Sequence, residues 1–148
     1  MDKNKILITL SERGRFWKVP FENLSEAEQI FRAIWDLESE VNNGGFYQYY
    51  YNNSGDTACH VVAALEEIGA EAAAGIVAKA NAAFYPVSPS IEQDVRREQL
   101  EVIESKYEDL WDSLDEEFFS YPDDLTGLLY DYVKRNKSEI EGARNVGI

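Results

Sequence analysis

The 148-residue sequence predicts an all-α fold, a compact single-domain bundle of about five to seven helices. Three observations carry that expectation. Apolar side chains recur at steps of three and four through most of the chain, and the stretches between them are short clusters of Gly, Pro, Asn and Asp. The third is composition: 45% hydrophobic and 13% aromatic residues supply a core even against a net charge of -14. A chain of this length fits one domain.

Residues 1–22 read as an N-terminal arm or a short strand, with Ile6, Leu7, Ile8 and Leu10 as its apolar run and a connection around Pro20. The helical domain is expected over residues 23–141. Its first helix opens at Ser25, because "SEAE" sets Glu28 three residues on as a capping box. Ile30, Phe31, Ile34, Leu37 and Val41 then follow at helical spacing until the Asn42 to Gly45 cluster stops them. A short helix fits between Gly45 and "NNSGD".

"DTACHVVAALEEIG" is the next helix, capped by Asp56 or Ser54 and ended by Gly69. The alanine-rich "AEAAAGIVAKANAAF" follows, and "YPVSPS" is an inter-helix loop. From about Ser90 one long helix is expected to run towards Phe119, with Leu100, Ile103, Tyr107, Leu110, Trp111, Leu114 and Phe118 facing the core. "SYPDD" breaks it, and Asp123 or Asp124 caps a last helix built on Leu125, Leu128, Leu129, Tyr132 and Val133. Lys134, Arg135 and Lys137 then suit the negative end of its dipole. Residues 142–148 read as a loose tail.

Composition narrows the function. Cys59 is the only cysteine and His60 the only histidine, so an intrachain disulfide and the usual zinc spacings are both ruled out. The sequence carries no phosphate-binding loop, dinucleotide fingerprint or nucleophile elbow, and no Glu-x-x-His pair for a di-iron bundle. The reading is therefore a non-enzymatic protein with no catalytic residues, no metal site and no cofactor. The N-terminal apolar run is too short for a signal sequence and no stretch reaches the roughly eighteen apolar residues of a membrane span, which makes the cytoplasm the expected location.

Charge is segregated. Residues 1–18 hold five basic and two acidic side chains and residues 125–148 hold four and three, which leaves 23 acidic against five basic between them. Such a surface repels nucleic acid and anionic membrane and attracts a basic protein. Its densest part is a run of carboxylates beside the expected core stripe: Glu98, Glu101, Glu104, Glu108, Asp112 and Asp115 at steps of three and four, widened by Asp109 and Glu116. On one continuous helix they would cover roughly 26 Å, about one charge per 5 Å. Duplex DNA carries one per roughly 1.7 Å. A single helix is too sparse to imitate a duplex, so mimicry would need a homodimer or a second acidic surface from Asp36, Glu38, Glu66, Glu67 and Glu71.

The stretch "EVNNGGFYQYYYNN" places two glycines before five aromatic rings. On a helix Phe46, Tyr49, Tyr50 and Asn53 share one face, and Gln48 and Asn52 another. The first reading is a corner, with the glycines turning the chain and the rings filling the core. A pocket formed by Gln48 and the tyrosine hydroxyls is the alternative.

Glu40, Asn43, Gly44, Gly45, Phe46, Gln48, Tyr49, Tyr50 and Asn52 also resemble the signature of the bacterial DNA-mimic protein family, otherwise described as a domain of unknown function. The likeness continues to about Phe84 and, more loosely, to about Tyr132. It implies an all-helical, acidic, often dimeric protein that occupies the DNA-binding face of a transcription factor. An inhibitor or immunity-type protein plugging a basic toxin or nuclease would need the same kind of surface.

Overall fold

The computed structural model describes residues 2–106 and 109–148. Among them are seven α-helices and no strand: α1 (Lys3–Arg13), α2 (Glu26–Tyr51), α3 (Ala58–Glu67), α4 (Glu71–Ala82), α5 (Gln93–Lys106), α6 (Leu110–Phe119) and α7 (Leu125–Arg135). α2 is the axis, and α3, α5, α6 and α7 all pack on it. α4 lies against α3 and α6, and α1 lies against α7. One core results, running from Leu7 and Leu10 of α1 through Phe31, Ile34, Leu37 and Phe46 of α2 to Leu65, Val77, Leu100, Phe118 and Leu129.

α2 begins as its sequence dictates. Ser25 accepts from the Glu28 N–H and the Glu28 side chain accepts from the Ser25 N–H, which closes the capping box. Glu28 does more than cap. Its carboxylate is fully buried and accepts from Arg15 Nε at 2.9 Å, Arg15 Nη2 at 2.7 Å and the Glu141 N–H at 3.2 Å. Burial alone would raise this carboxyl, but the Arg15 guanidinium and the two backbone N–H groups outweigh it and hold the group below the ordinary glutamate value.

Four expectations are corrected. The N-terminal arm or strand is helix α1. Asp2 caps it by accepting from Asn4 N–H at 2.9 Å, and Ile6, Leu7 and Leu10 share the face buried towards α7. Four apolar residues in a row of five fit either period, and the cap decides between them. The tail over residues 142–148 is not loose: Ala143 and Val146 enter the core.

The single long helix expected from Ser90 is two, α5 ending at Lys106 and α6 opening at Leu110. Tyr107 and Glu108 lie outside the described residues. Finally, neither Asp56 nor Ser54 caps α3. Ser54 Oγ donates to the Tyr49 carbonyl and Asp56 binds Arg96. Both aspartates after α6 do cap, but different helices. Asp124 accepts from Gly127 N–H at the start of α7, while Asp123 reaches across to Ala73 N–H at 2.8 Å and serves α4.

Candidate partner-binding surface and the glycine corner

Two glycines bend α2. Gly44 (φ -155°, ψ 16°) and Gly45 (φ 78°, ψ -177°) leave the helical region, and the helix resumes at Phe46. At Gly45 the positive φ is open to glycine and costly for any side chain. The resumed helix starts with free N–H groups, and Asp115 of α6 supplies the acceptor: Phe46 N–H donates to its Oδ1 at 2.8 Å. A Cβ on Gly45 would collide with that carboxylate. The corner and α6 therefore define each other. Burial raises the Asp115 carboxyl above its usual value and the Phe46 N–H opposes the rise.

Most of the rest of the signature faces inward. Gln48 Nε2 donates to Glu40 Oε2 at 2.6 Å, and Asn52 Nδ2 reaches the same oxygen at 3.4 Å, so one carboxylate braces both limbs of the corner. Phe46, Tyr49 and Tyr50 are wholly buried. Tyr50 packs on Phe84 and Trp111, and its hydroxyl donates to Asn81 Oδ1 at 2.6 Å. Asn43 and Gly44 sit exposed at the outside of the bend. The geometry supports the architectural reading of the corner, with Gln48 already engaged by Glu40.

Sequence reasoning missed the residue that locks the corner to α5. Arg96 is fully buried, and its guanidinium donates to the carbonyls of Tyr50 (2.6 Å), Asn52 (2.7 Å) and Ser90 (2.7 Å) and to Asp56 Oδ1 (2.9 Å). It pairs the free carbonyls at the end of α2. A Cβ on Gly55 would lie 2.6 Å from Arg96 Nε and 2.9 Å from the Tyr49 carbonyl, so this glycine is a matter of space. The signal was present: Arg96, Leu100 and Ile103 fall at steps of four and three, which puts a lone arginine on the buried face of an acidic helix.

Of the expected carboxylate stripe, Glu98, Glu101 and Glu104 are exposed on α5, and Asp109, Asp112 and Glu116 are exposed at α6. Glu108 lies outside the described residues. Asp115 is half-buried and turned to the corner, so its charge is engaged by Phe46. The break between α5 and α6 also means that the 1.5 Å rise per residue holds within each segment and not across both. The exposed carboxylates named here make no ion pair among the described residues. Arg97 sits beside them, but its guanidinium lies 4.0 Å from the Tyr51 ring and Nε donates to the Tyr51 carbonyl.

The second acidic surface is thinner than expected. Glu66, Glu67 and Glu71 are exposed, whereas Glu38 accepts from the Tyr121 hydroxyl at 2.9 Å and Asp36 from Trp17 Nε1 at 3.0 Å. Burial pushes the Asp36 carboxyl up to about 6, against the pull of Trp17 and Arg32. The sign follows from linkage: a carboxyl raised on folding favours the protonated state, so its contribution is lost as pH rises from about 4 to about 6. Asp36→Asn is expected to raise stability by about 1–3 kcal/mol near pH 7.5 and to change it little near pH 4, read from urea midpoints at the two pH values. Equal gains at both would show that Asp36 is not the group responsible.

Comparison with curated proteins and with solved structures finds no match. A protein-family model, described as DMP19-like protein, matches residues 22–136, a span that holds the corner, Arg96 and both acidic helices. The chain belongs to the DMP19-like family of DNA-mimic proteins.

Proposed function

We propose that this protein is a non-enzymatic, cytoplasmic mimic of DNA, which occupies the DNA-binding surface of a basic partner, a transcription factor, with Glu98, Glu101, Glu104, Asp109, Asp112 and Glu116 standing in for phosphates. One observation carries the reading: these carboxylates are exposed and make no ion pair among the described residues, on a chain at -14 net charge. An ordinary solvated helix face mixes both signs. Family membership points the same way.

One copy presents too few charges for a duplex, so the mimic acts as a homodimer. Support comes from the edge of the acidic face, where Val102 is 54% exposed, with Tyr85 (85%) and Val87 (58%) across a groove from it. Pairing two copies along that edge would bring two acidic faces together.

The test is capture from native lysate at low salt, followed by elution with duplex DNA. A DNA-binding protein should be released by the DNA, and the combined variant Glu98→Gln, Glu101→Gln, Glu104→Gln, Asp112→Asn should bind it about tenfold or more weakly. A partner held equally well by that variant would end the mimic reading. A partner that needs these charges but ignores DNA would make the protein an inhibitor of a basic toxin or nuclease instead.

A further inference from the structure

The acidic face of α5 is bordered by two rings from the resumed part of α2. Tyr47 and Tyr51, one turn apart, lie stacked with their centres 5.8 Å apart and their planes 22° from parallel. Phe46, Tyr49 and Tyr50 go into the core, whereas Tyr51 is 40% exposed and Tyr47 stands partly exposed at the core's edge. Carboxylates flank the pair. Burial raises the Tyr47 hydroxyl above its ordinary value, and Glu104 and Glu101 raise it further, so both charges of α5 lie within electrostatic reach of this ring. Both are exposed, and neither makes an ion pair among the described residues.

One arginine of this chain already uses the pair. The Arg97 guanidinium lies 4.0 Å from the centre of the Tyr51 ring and is tethered by Nε, which donates to the Tyr51 carbonyl at 3.0 Å. Tyr51 is therefore covered. Tyr47 has a side to spare: Tyr51 stacks on it from one turn later, while in the turn before it the helix is broken at Gly44 and Gly45, neither of which carries a side chain. A ring face beside two free carboxylates suits a flat cation. A guanidinium can stack on the ring and still donate from its edge to the carboxylates, whereas an ammonium is more strongly hydrated and has no flat face.

We propose that Tyr47, Glu101 and Glu104 form an arginine seat, in which an arginine of the partner protein lays its guanidinium on the open side of the Tyr47 ring and donates to the two carboxylates, in preference to a lysine. The seat rests on the reading of the acidic face as the partner surface, and it adds which basic side chain that surface selects.

The test uses hexa-arginine and hexa-lysine peptides of equal charge, titrated into the intact protein by calorimetry at low salt. Both should bind, and both should weaken when Glu101→Gln and Glu104→Gln are combined. Tyr47→Leu should cut the preference for arginine over lysine by about three- to fivefold and leave the hexa-lysine affinity unchanged. Tyr47→Phe keeps the ring and should keep the preference. If Tyr47→Leu does not fold, the Tyr47 ring resonances of the unaltered protein serve instead, and hexa-arginine should move them well beyond hexa-lysine at matched saturation. An unchanged preference in folded Tyr47→Leu, equal movement of the ring by both peptides, or a loss in Tyr47→Phe equal to that in Tyr47→Leu would each overturn the seat and leave the acidic surface standing. Failure of both peptides to bind, or binding indifferent to the two carboxylates, would overturn the seat together with the reading beneath it.

Discussion

Arg96→Met should lower the free energy of unfolding by about 3–5 kcal/mol, the range for removing one partner from a buried, hydrogen-bonded charge. Methionine fills much of the same volume, so the loss comes from the acceptors left behind. The carbonyls of Tyr50, Asn52 and Ser90 would remain at a closed junction with nothing to bond. Arg96→Lys should recover little of this, because an ammonium cannot span acceptors that the planar guanidinium reaches together. Asp56→Ala should cost far less, about 1 kcal/mol or under, because that carboxylate is 43% exposed and water can replace its partner. Urea unfolding of the three variants orders them. If Asp56→Ala proves as damaging as Arg96→Met, the ion pair and not the carbonyl bracket is what holds the junction.

Gly45→Ala is expected to cost about 2–4 kcal/mol, from a left-handed backbone that alanine resists and from displacement of the Asp115 carboxylate. The two parts are separable. In an Asp115→Ala background the collision is gone, and the same substitution should cost only the backbone part, so a double-mutant cycle should show coupling of about 1 kcal/mol or more. Strict additivity would mean that the carboxylate swings aside freely and that α6 does not restrain the corner. Gly44→Ala serves as the comparison: its φ is negative and its Cβ would meet Gln48, within 2.9 Å of that residue's Cβ, so its cost should be unchanged by Asp115→Ala.

Much of this fold was legible because local chemistry and tertiary packing agree. The "SEAE" box and the αL stop at Gly69 are each satisfied by neighbours in sequence, and the bend at Gly44 and Gly45 stands where those residues place it, although its acceptor comes from α6. What escaped was anything decided by a distant partner. Asp123 looks like a cap for α7 until α4 is packed beside it, and the boundary between α5 and α6 falls inside an unbroken apolar periodicity. The acidic stripe was legible as composition, but its division was not. Asp115 has the spacing of a surface carboxylate, and only the approach of α6 to Phe46 takes it out of that set. Arg96 went unread, although its register with Leu100 and Ile103 placed it inside.

The Glu28 carboxylate joins Arg15, from the segment before α2, to the N–H of Glu141, near the opposite end of the chain. Both contacts come from outside residues 22–136, the span that defines the family. The cooperative unit that unfolds is thus longer than the conserved-domain boundaries, and a fragment trimmed to those boundaries would strand a buried negative charge at the head of its longest helix. Attaching a tag or fusion partner at either end leaves that charge satisfied; excising either end does not.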